Sequence, residues 1–85
     1  MNNCDMQCLQ GLLKGRTLDK ARITTYDSVS DFTSEAELIQ YLSGIGYPKE
    51  GSCILLKGGA WISWTCHSAG QEYYHSWELY ERPSW

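Results

Sequence analysis

The sequence has no apolar run that approaches the ~20 residues needed to cross a bilayer as a helix, which argues against a membrane partner. Its first residues, MNNCDMQCLQGLLKG, lack both the basic start and the apolar run of a secretory signal. Disulfides are rare in reducing compartments, whose proteins keep their thiols free. We therefore expect a cytoplasmic protein whose four cysteines are reduced thiols.

Basic residues are also few, since seven Lys and Arg stand against ten Asp and Glu and give a net charge of −3. Nucleic-acid binding draws much of its affinity from neutralised phosphates, so a basic surface is expected of such proteins. One basic cluster is present, and its members are Lys14, Arg16, Lys20 and Arg22. Such a cluster is typical of solvated surface and suits an acidic protein equally well. The charge balance thus argues against nucleic acid as the main partner.

Motifs that bind phosphate or metal are missing as well. Gly58-Gly59 is followed by neither a helix signal nor a lysine, so it is not a phosphate loop. Structural zinc sites usually draw paired ligands from C-x₂-C knuckles, and the sequence has none. The residue types that bind zinc are present as Cys4, Cys8, Cys53, Cys66, His67 and His75. We expect no cofactor, no bound metal and no enzymatic activity.

What the chain does contain is enough for one small core. A length of 85 residues is typical of a single domain, so we assign residues 1–85 to one domain. Four Trp and six Tyr add bulk, because each buried aromatic side chain removes roughly 150–250 Å² from water. The chain can therefore fold without a disulfide or a metal.

The first third of the chain predicts one helix and one strand. Apolar residues in 3–14 fall on one stripe at helical spacing, with Asn2 or Asn3 as the N-cap and Gly15 at the end. Residues 20–27, KARITTYD, are rich in β-branched side chains and predict a strand.

A second helix is predicted by the clearest local signal in the chain. Residues 34–37, SEAE, have the capping-box form, in which a serine hydroxyl and a glutamate side chain satisfy each other's backbone amides. Apolar residues at helical spacing carry this helix to about Ser43, and Gly44 is expected to end it in a left-handed conformation.

The strongest β signal is a pair of apolar runs on either side of Gly58-Gly59. A two-residue turn at these glycines predicts that Leu55 lies opposite Ile62 and that Cys53 lies opposite Trp64. A second turn then leads into the run YYHSWELY. The C-terminal third is thus predicted to be a three-stranded antiparallel meander.

This register divides the meander into two faces, because alternate strand residues point to opposite sides. The predicted core face carries Cys53, Leu55, Ile62, Trp64, Cys66, Tyr73, His75, Trp77 and Leu79. The predicted mixed face carries Ile54, Leu56, Trp61, Ser63, Thr65, Tyr74, Ser76, Glu78 and Tyr80. The fold class is α+β: a small antiparallel sheet, made of the meander plus strand 20–27, with two helices packed on one face.

The mixed face leads to the functional hypothesis, because it is unusually aromatic. Trp and Tyr are enriched at protein-binding hot spots, and large exposed apolar patches often mark interaction sites. The residues predicted to bind a partner are Trp61, Tyr74, Tyr80, Leu56 and Glu78. The hypothesis is a small steric modulator or inhibitor of another protein, such as a phage or mobile-element inhibitor of a host protein, or an immunity protein. The alternative is that strand 20–27, the termini or a second copy in a homodimer covers this face.

Two other classes of function stay open. One is a zinc-stabilised binding module, and the other is a small cysteine hydrolase. The predicted register puts Cys66 diagonally near His75, and a thiolate activated by histidine can attack a carbonyl. Against the hydrolase, this face is needed for the core, buried cysteines are usually inert, and no Asn or Asp is placed to orient the imidazole.

Overall fold

The computed structural model describes residues 1–82. The elements run in the order α1 (Asn3–Leu13), β1 (Leu18–Thr24), β2 (Val29–Phe32), α2 (Glu35–Gly44), β3 (Cys53–Leu56), β4 (Trp61–Ala69) and β5 (Glu72–Tyr80). All strand pairings are antiparallel, in the spatial order β2-β1-β3-β4-β5. The predicted α+β class and the C-terminal meander are confirmed. No helix within residues 1–82 is long and apolar enough to span a membrane.

Both helices begin at the caps that the sequence predicts. The Asn2 side chain accepts a hydrogen bond of 2.8 Å from the Asp5 amide, and the Ser34 hydroxyl accepts one of 3.5 Å from the Glu37 amide. These bonds satisfy amides that have no partner within the helix. The expected left-handed stop at Gly44 is wrong, because Gly44 is the last helical residue and has no positive φ.

The strand predicted over 20–27 lies at 18–24, and a further strand, β2, follows it. Thr25 donates its amide to the Ser28 carbonyl at 2.8 Å and so closes the turn between β1 and β2. Arg22 and Asp31 then face each other across the two strands. β2 has only four residues with alternating half-burial, too short a pattern to be read from the sequence.

The predicted pairing of β3 with β4 is wrong by one residue. Leu55 lies opposite Trp61, and Cys53 lies opposite Ser63. Three residues rather than two form the turn, because the Leu56 amide bonds to the Ala60 carbonyl and leaves 57–59 between them. Gly58 and Gly59 both have positive φ, at 100° and 97°, which explains why glycine occupies both positions.

This one-residue difference exchanges the two faces of β3. Leu56 is only 4% exposed and belongs to the core, whereas Leu55 is 45% exposed. The predicted surface position of Leu56 and the predicted core position of Leu55 are therefore both corrected. A slip of one residue has this effect because side chains alternate with a period of two.

The pairing of β4 with β5 differs from the prediction by two residues, so the faces are kept. Trp64 lies opposite Trp77, and Ile62 lies opposite Leu79. Both tryptophans are buried, and their ring centroids are 5.0 Å apart. The pair belongs to a core formed by one face of the sheet and the two helices. Its buried apolar members are Leu9, Leu13, Leu18, Ala21, Ile23, Leu38, Leu42, Ile54, Leu56, Ile62, Trp64 and Trp77.

The loop between α2 and β3 is held by Ser52, a fully buried polar residue. The Ser52 hydroxyl accepts a hydrogen bond of 3.0 Å from the Thr24 amide and donates one of 2.9 Å to the Lys49 carbonyl. The Ser52 carbonyl accepts from the Trp64 amide at 3.0 Å. Ser52 thereby connects this loop to the end of β1 and to β4.

We expect Ser52→Ala to lower the free energy of unfolding by about 1–3 kcal/mol, because the half-buried Thr24 amide would lose its acceptor. Urea-induced unfolding followed by circular dichroism measures this loss. Ser68→Ala is the matched control, because Ser68 is exposed on β4. A cost for Ser52→Ala no greater than that for Ser68→Ala would contradict the role given to the Ser52 hydroxyl.

Candidate functional site

The sheet face opposite the helices, called the open face below, consists of side chains that alternate with the core residues. Each of these side chains is either half-buried or exposed, and none belongs to the core. Its members are Lys20, Arg22, Thr24, Val29, Asp31, Cys53, Leu55, Trp61, Ser63, Thr65, His67, Tyr74, Ser76, Glu78 and Tyr80. Strand 18–24 lies within the sheet and does not cover this face.

One end of the open face is apolar. Leu55, Trp61 and Tyr80, called the aromatic patch below, are direct neighbours on β3, β4 and β5. The rings of Trp61 and Tyr80 stack with centroids 5.6 Å apart and planes 18° from parallel. Tyr80 is 39% exposed, and its hydroxyl lies 3.2 Å from the Thr65 hydroxyl. The patch therefore combines exposed apolar area with fixed side-chain positions.

The other end of the open face is a polar cluster around His67. Its imidazole stacks on Tyr74 with centroids 4.9 Å apart. The Nε2 atom of His67 lies 2.9 Å from the Ser76 hydroxyl and 3.1 Å from Oε1 of Glu78, and Ser76 is placed to donate to the same Oε1. In a hydrolytic triad the serine and the carboxylate contact different imidazole nitrogens. Here both contact one nitrogen, so the geometry is that of a structural hydrogen-bond cluster.

Four of the five predicted partner-binding residues lie on the open face, namely Trp61, Tyr74, Tyr80 and Glu78. Trp61, expected to be the exposed anchor, is half-buried because Tyr80 covers part of its ring. Leu56 is in the core, and Leu55 occupies the position expected for it. The role of these residues in binding stays a prediction.

The basic cluster expected from the sequence is largely paired with carboxylates. Arg22 contacts Asp31 through two hydrogen bonds of 2.9 and 3.2 Å, and Lys20 lies 3.9 Å from the same side chain. The hydrogen bond from Arg22 lowers the pKa of Asp31 below its usual value. Arg16 contacts Glu81 at 3.4 Å. Three of the four basic residues thus form ion pairs rather than a field of unpaired positive charge.

A second cluster lies at the opposite side of the sheet, where Cys66 of β4 and His75 of β5 are paired directly across the strands. The Cys66 thiol, an imidazole nitrogen of His75 and a carboxylate oxygen of Glu50 all lie within 4.8 Å of one another. The His75 ring stacks on Trp64, with centroids 5.8 Å apart and planes 12° from parallel. Glu50 and His75 line a cleft of about 640 Å³.

The sequence indicated only part of this cluster. Cys66 and His75 were predicted to be diagonal neighbours and are direct ones. Glu50 was missed, because it lies in the loop between α2 and β3 and its position depends on the hydrogen bonds of Ser52 rather than on a local pattern. An acidic residue two positions before a buried serine carries no signal of its own.

The other three cysteines are apart from this cluster. Cys4 and Cys8 are exposed on α1, Cys53 lies on the open face, and all four cysteines are free thiols. Burial raises the pKa of the Cys53 thiol above its ordinary value. At a given pH, a smaller fraction of Cys53 is therefore ionised than of a thiol with the ordinary pKa.

Comparisons with known proteins found no matching family model, no matching curated protein and no matching solved structure.

We expect the Cys53 thiol to react more slowly with iodoacetamide at pH 8 than Cys4 or Cys8, because the thiolate is the nucleophile and the Cys53 pKa is raised. Site-resolved mass spectrometry of timed samples measures these rates, and Cys53→Ser should remove the slow phase. Equal rates at all three sites would contradict the burial of Cys53.

Proposed function

We propose that this chain is a small cytoplasmic protein that binds another protein through its open face and modulates or inhibits that partner sterically. The observation that carries the proposal is the aromatic patch. Leu55 and Tyr80 keep 45% and 39% of their surface exposed on a face that neither helix covers. Exposed apolar area of this kind on one face often marks an interaction surface.

The aromatic patch suits protein recognition because its side chains are ordered before binding. Trp61 and Tyr80 stack on each other, and the Tyr80 hydroxyl is within hydrogen-bond distance of Thr65. Immobilising a side chain at an interface costs about 0.5–1.5 kcal/mol, and side chains that are already fixed avoid part of this cost. Tryptophan and tyrosine are also the residue types that most often dominate binding energy.

The charges around the patch favour a protein over a nucleic acid. Arg22 and Lys20 share the carboxylate of Asp31, so few positive charges are left to neutralise phosphates. Glu78 lies on the open face next to the patch, and the chain has a net charge of −3. The negative net charge of the chain favours association with a basic protein, so the partner we propose carries basic residues around an apolar pocket.

We expect Trp61→Ala to weaken partner binding by about 2 kcal/mol or more while the chain stays folded. A pull-down from lysate of the source cells, with the tagged chain as bait, identifies the partner, and calorimetry with that purified partner measures the loss. Tyr73→Ala is the matched control. Tyr73 is a 74% exposed aromatic residue of β5 whose side chain points to the other side of the sheet.

The proposal requires one stoichiometric partner that the Trp61→Ala variant loses and the Tyr73→Ala variant keeps. A partner retained by both variants would place the interface elsewhere. A chain that captures no other protein and sediments as a dimer, which Trp61→Ala converts to a monomer, would show that the open face serves self-association instead.

A further inference from the structure

The cluster of Cys66, His75 and Glu50 combines three side chains of different chemistry at one point. A thiol, an imidazole and a carboxylate converge with their ligand atoms within 4.8 Å of one another. They come from β4, β5 and the loop after α2, which are far apart in the sequence. Sulfur, imidazole nitrogen and carboxylate oxygen are the three protein ligand types that zinc accepts.

The spacing of these atoms fits a zinc ion after a small closure. Zinc binds sulfur at about 2.3 Å and nitrogen or oxygen at about 2.0–2.2 Å, so a tetrahedral site holds its ligand atoms about 3.4–3.6 Å apart. The closure from 4.8 Å is therefore at most about 1.4 Å for any pair. Glu50 is exposed, so its side chain can rotate towards Cys66 and His75 without disturbing the core.

The same three residue types also form the triad of a cysteine hydrolase, but the arrangement differs. In a triad the imidazole stands between the nucleophile and the carboxylate, and each contacts a different ring nitrogen. Here the Cys66 sulfur and a Glu50 oxygen lie within 4.8 Å of each other as well as of one imidazole nitrogen. Convergence of all three on a common point is the geometry of a metal site.

The surrounding structure restrains the His75 ring and the backbone of the loop that carries Glu50. The His75 ring is stacked on the buried Trp64, which limits its rotation. The loop that carries Glu50 is fixed by the hydrogen bonds between Ser52, Lys49 and Thr24. A site whose ligands are ordered beforehand loses less conformational entropy when the ion binds.

We propose that Cys66, His75 and Glu50 form a binding site for Zn²⁺, with the fourth coordination position open to the cleft. The Cys66 thiolate and the Glu50 carboxylate together neutralise the ion, and the neutral imidazole completes the set. Three protein ligands with an open fourth position are typical of zinc sites that accept water or a further ligand. The proposal does not depend on the open face, which lies on the other side of the sheet.

Zinc titration of the full chain by calorimetry tests the site, with the reduced protein purified without chelator. We expect one equivalent of Zn²⁺ to bind, with protons released from the thiol. Cys66→Ser, His75→Gln and Glu50→Gln should each weaken binding by at least about tenfold, since even residues that only support a ligand are worth about 10–100-fold. Cobalt in place of zinc should give a thiolate-to-metal charge-transfer band that Cys66→Ser abolishes.

Cys53→Ser and His67→Gln are matched controls, because they change a cysteine and a histidine on the opposite face of the same sheet. Both controls should keep the affinity of the unaltered chain. Glu50→Gln keeps the test independent of folding, since Glu50 is an exposed loop residue. The proposal would be overturned if the unaltered chain did not bind one equivalent of zinc. It would also be overturned if the controls lost zinc binding while the Cys66, His75 and Glu50 variants kept it.

Discussion

The structure depends on one constraint, which is that two short helices cover only one face of a five-stranded sheet. Five strands about 4.8 Å apart make a sheet roughly 20 Å wide. Two helices about 10 Å in diameter, side by side, cover one face of such a sheet and leave none to cover the other face. The helices have 11 and 10 residues, and both contribute to a single core. The apolar residues of alternate strand positions are buried beneath them. The remaining positions form the open face, where aromatic side chains keep contact with solvent.

The covered side of the sheet contains the cross-strand pair of Trp64 and Trp77. Their rings pack against each other at 5.0 Å, and the Trp77 indole donates to the Met1 sulfur at 3.3 Å. Trp64 also stacks on Tyr47 of the α2–β3 loop and on His75. The same side chain therefore helps to hold the core, the loop that carries Glu50 and the imidazole of the proposed zinc site.

Local signals in the sequence predicted the helices, their caps and the C-terminal meander, because these depend on neighbouring residues. The register depended on the length of one turn, and a third turn residue exchanged Leu55 with Leu56. The difference of two residues in the pairing of β4 with β5 did not change which side chains share a face, so Trp61 and Tyr80 lie on the face predicted for them. Strand β2 could not be predicted, because it depends on the pairing of Asp31 with Arg22 of β1. The position of Glu50 could not be predicted either, because it depends on the hydrogen bonds that Ser52 makes to other segments.

The division of the sheet into a core face and an open face is tested most directly by the unfolding free energies of Trp61→Ala and Trp64→Ala. The two residues are three positions apart on β4 and point to opposite faces. Trp64→Ala should cost about 3–5 kcal/mol, because it empties a core position. Trp61→Ala should cost about 0.5–1.5 kcal/mol, the worth of its stacking on Tyr80. Equal losses of several kcal/mol would mean that both faces are core and would contradict this account.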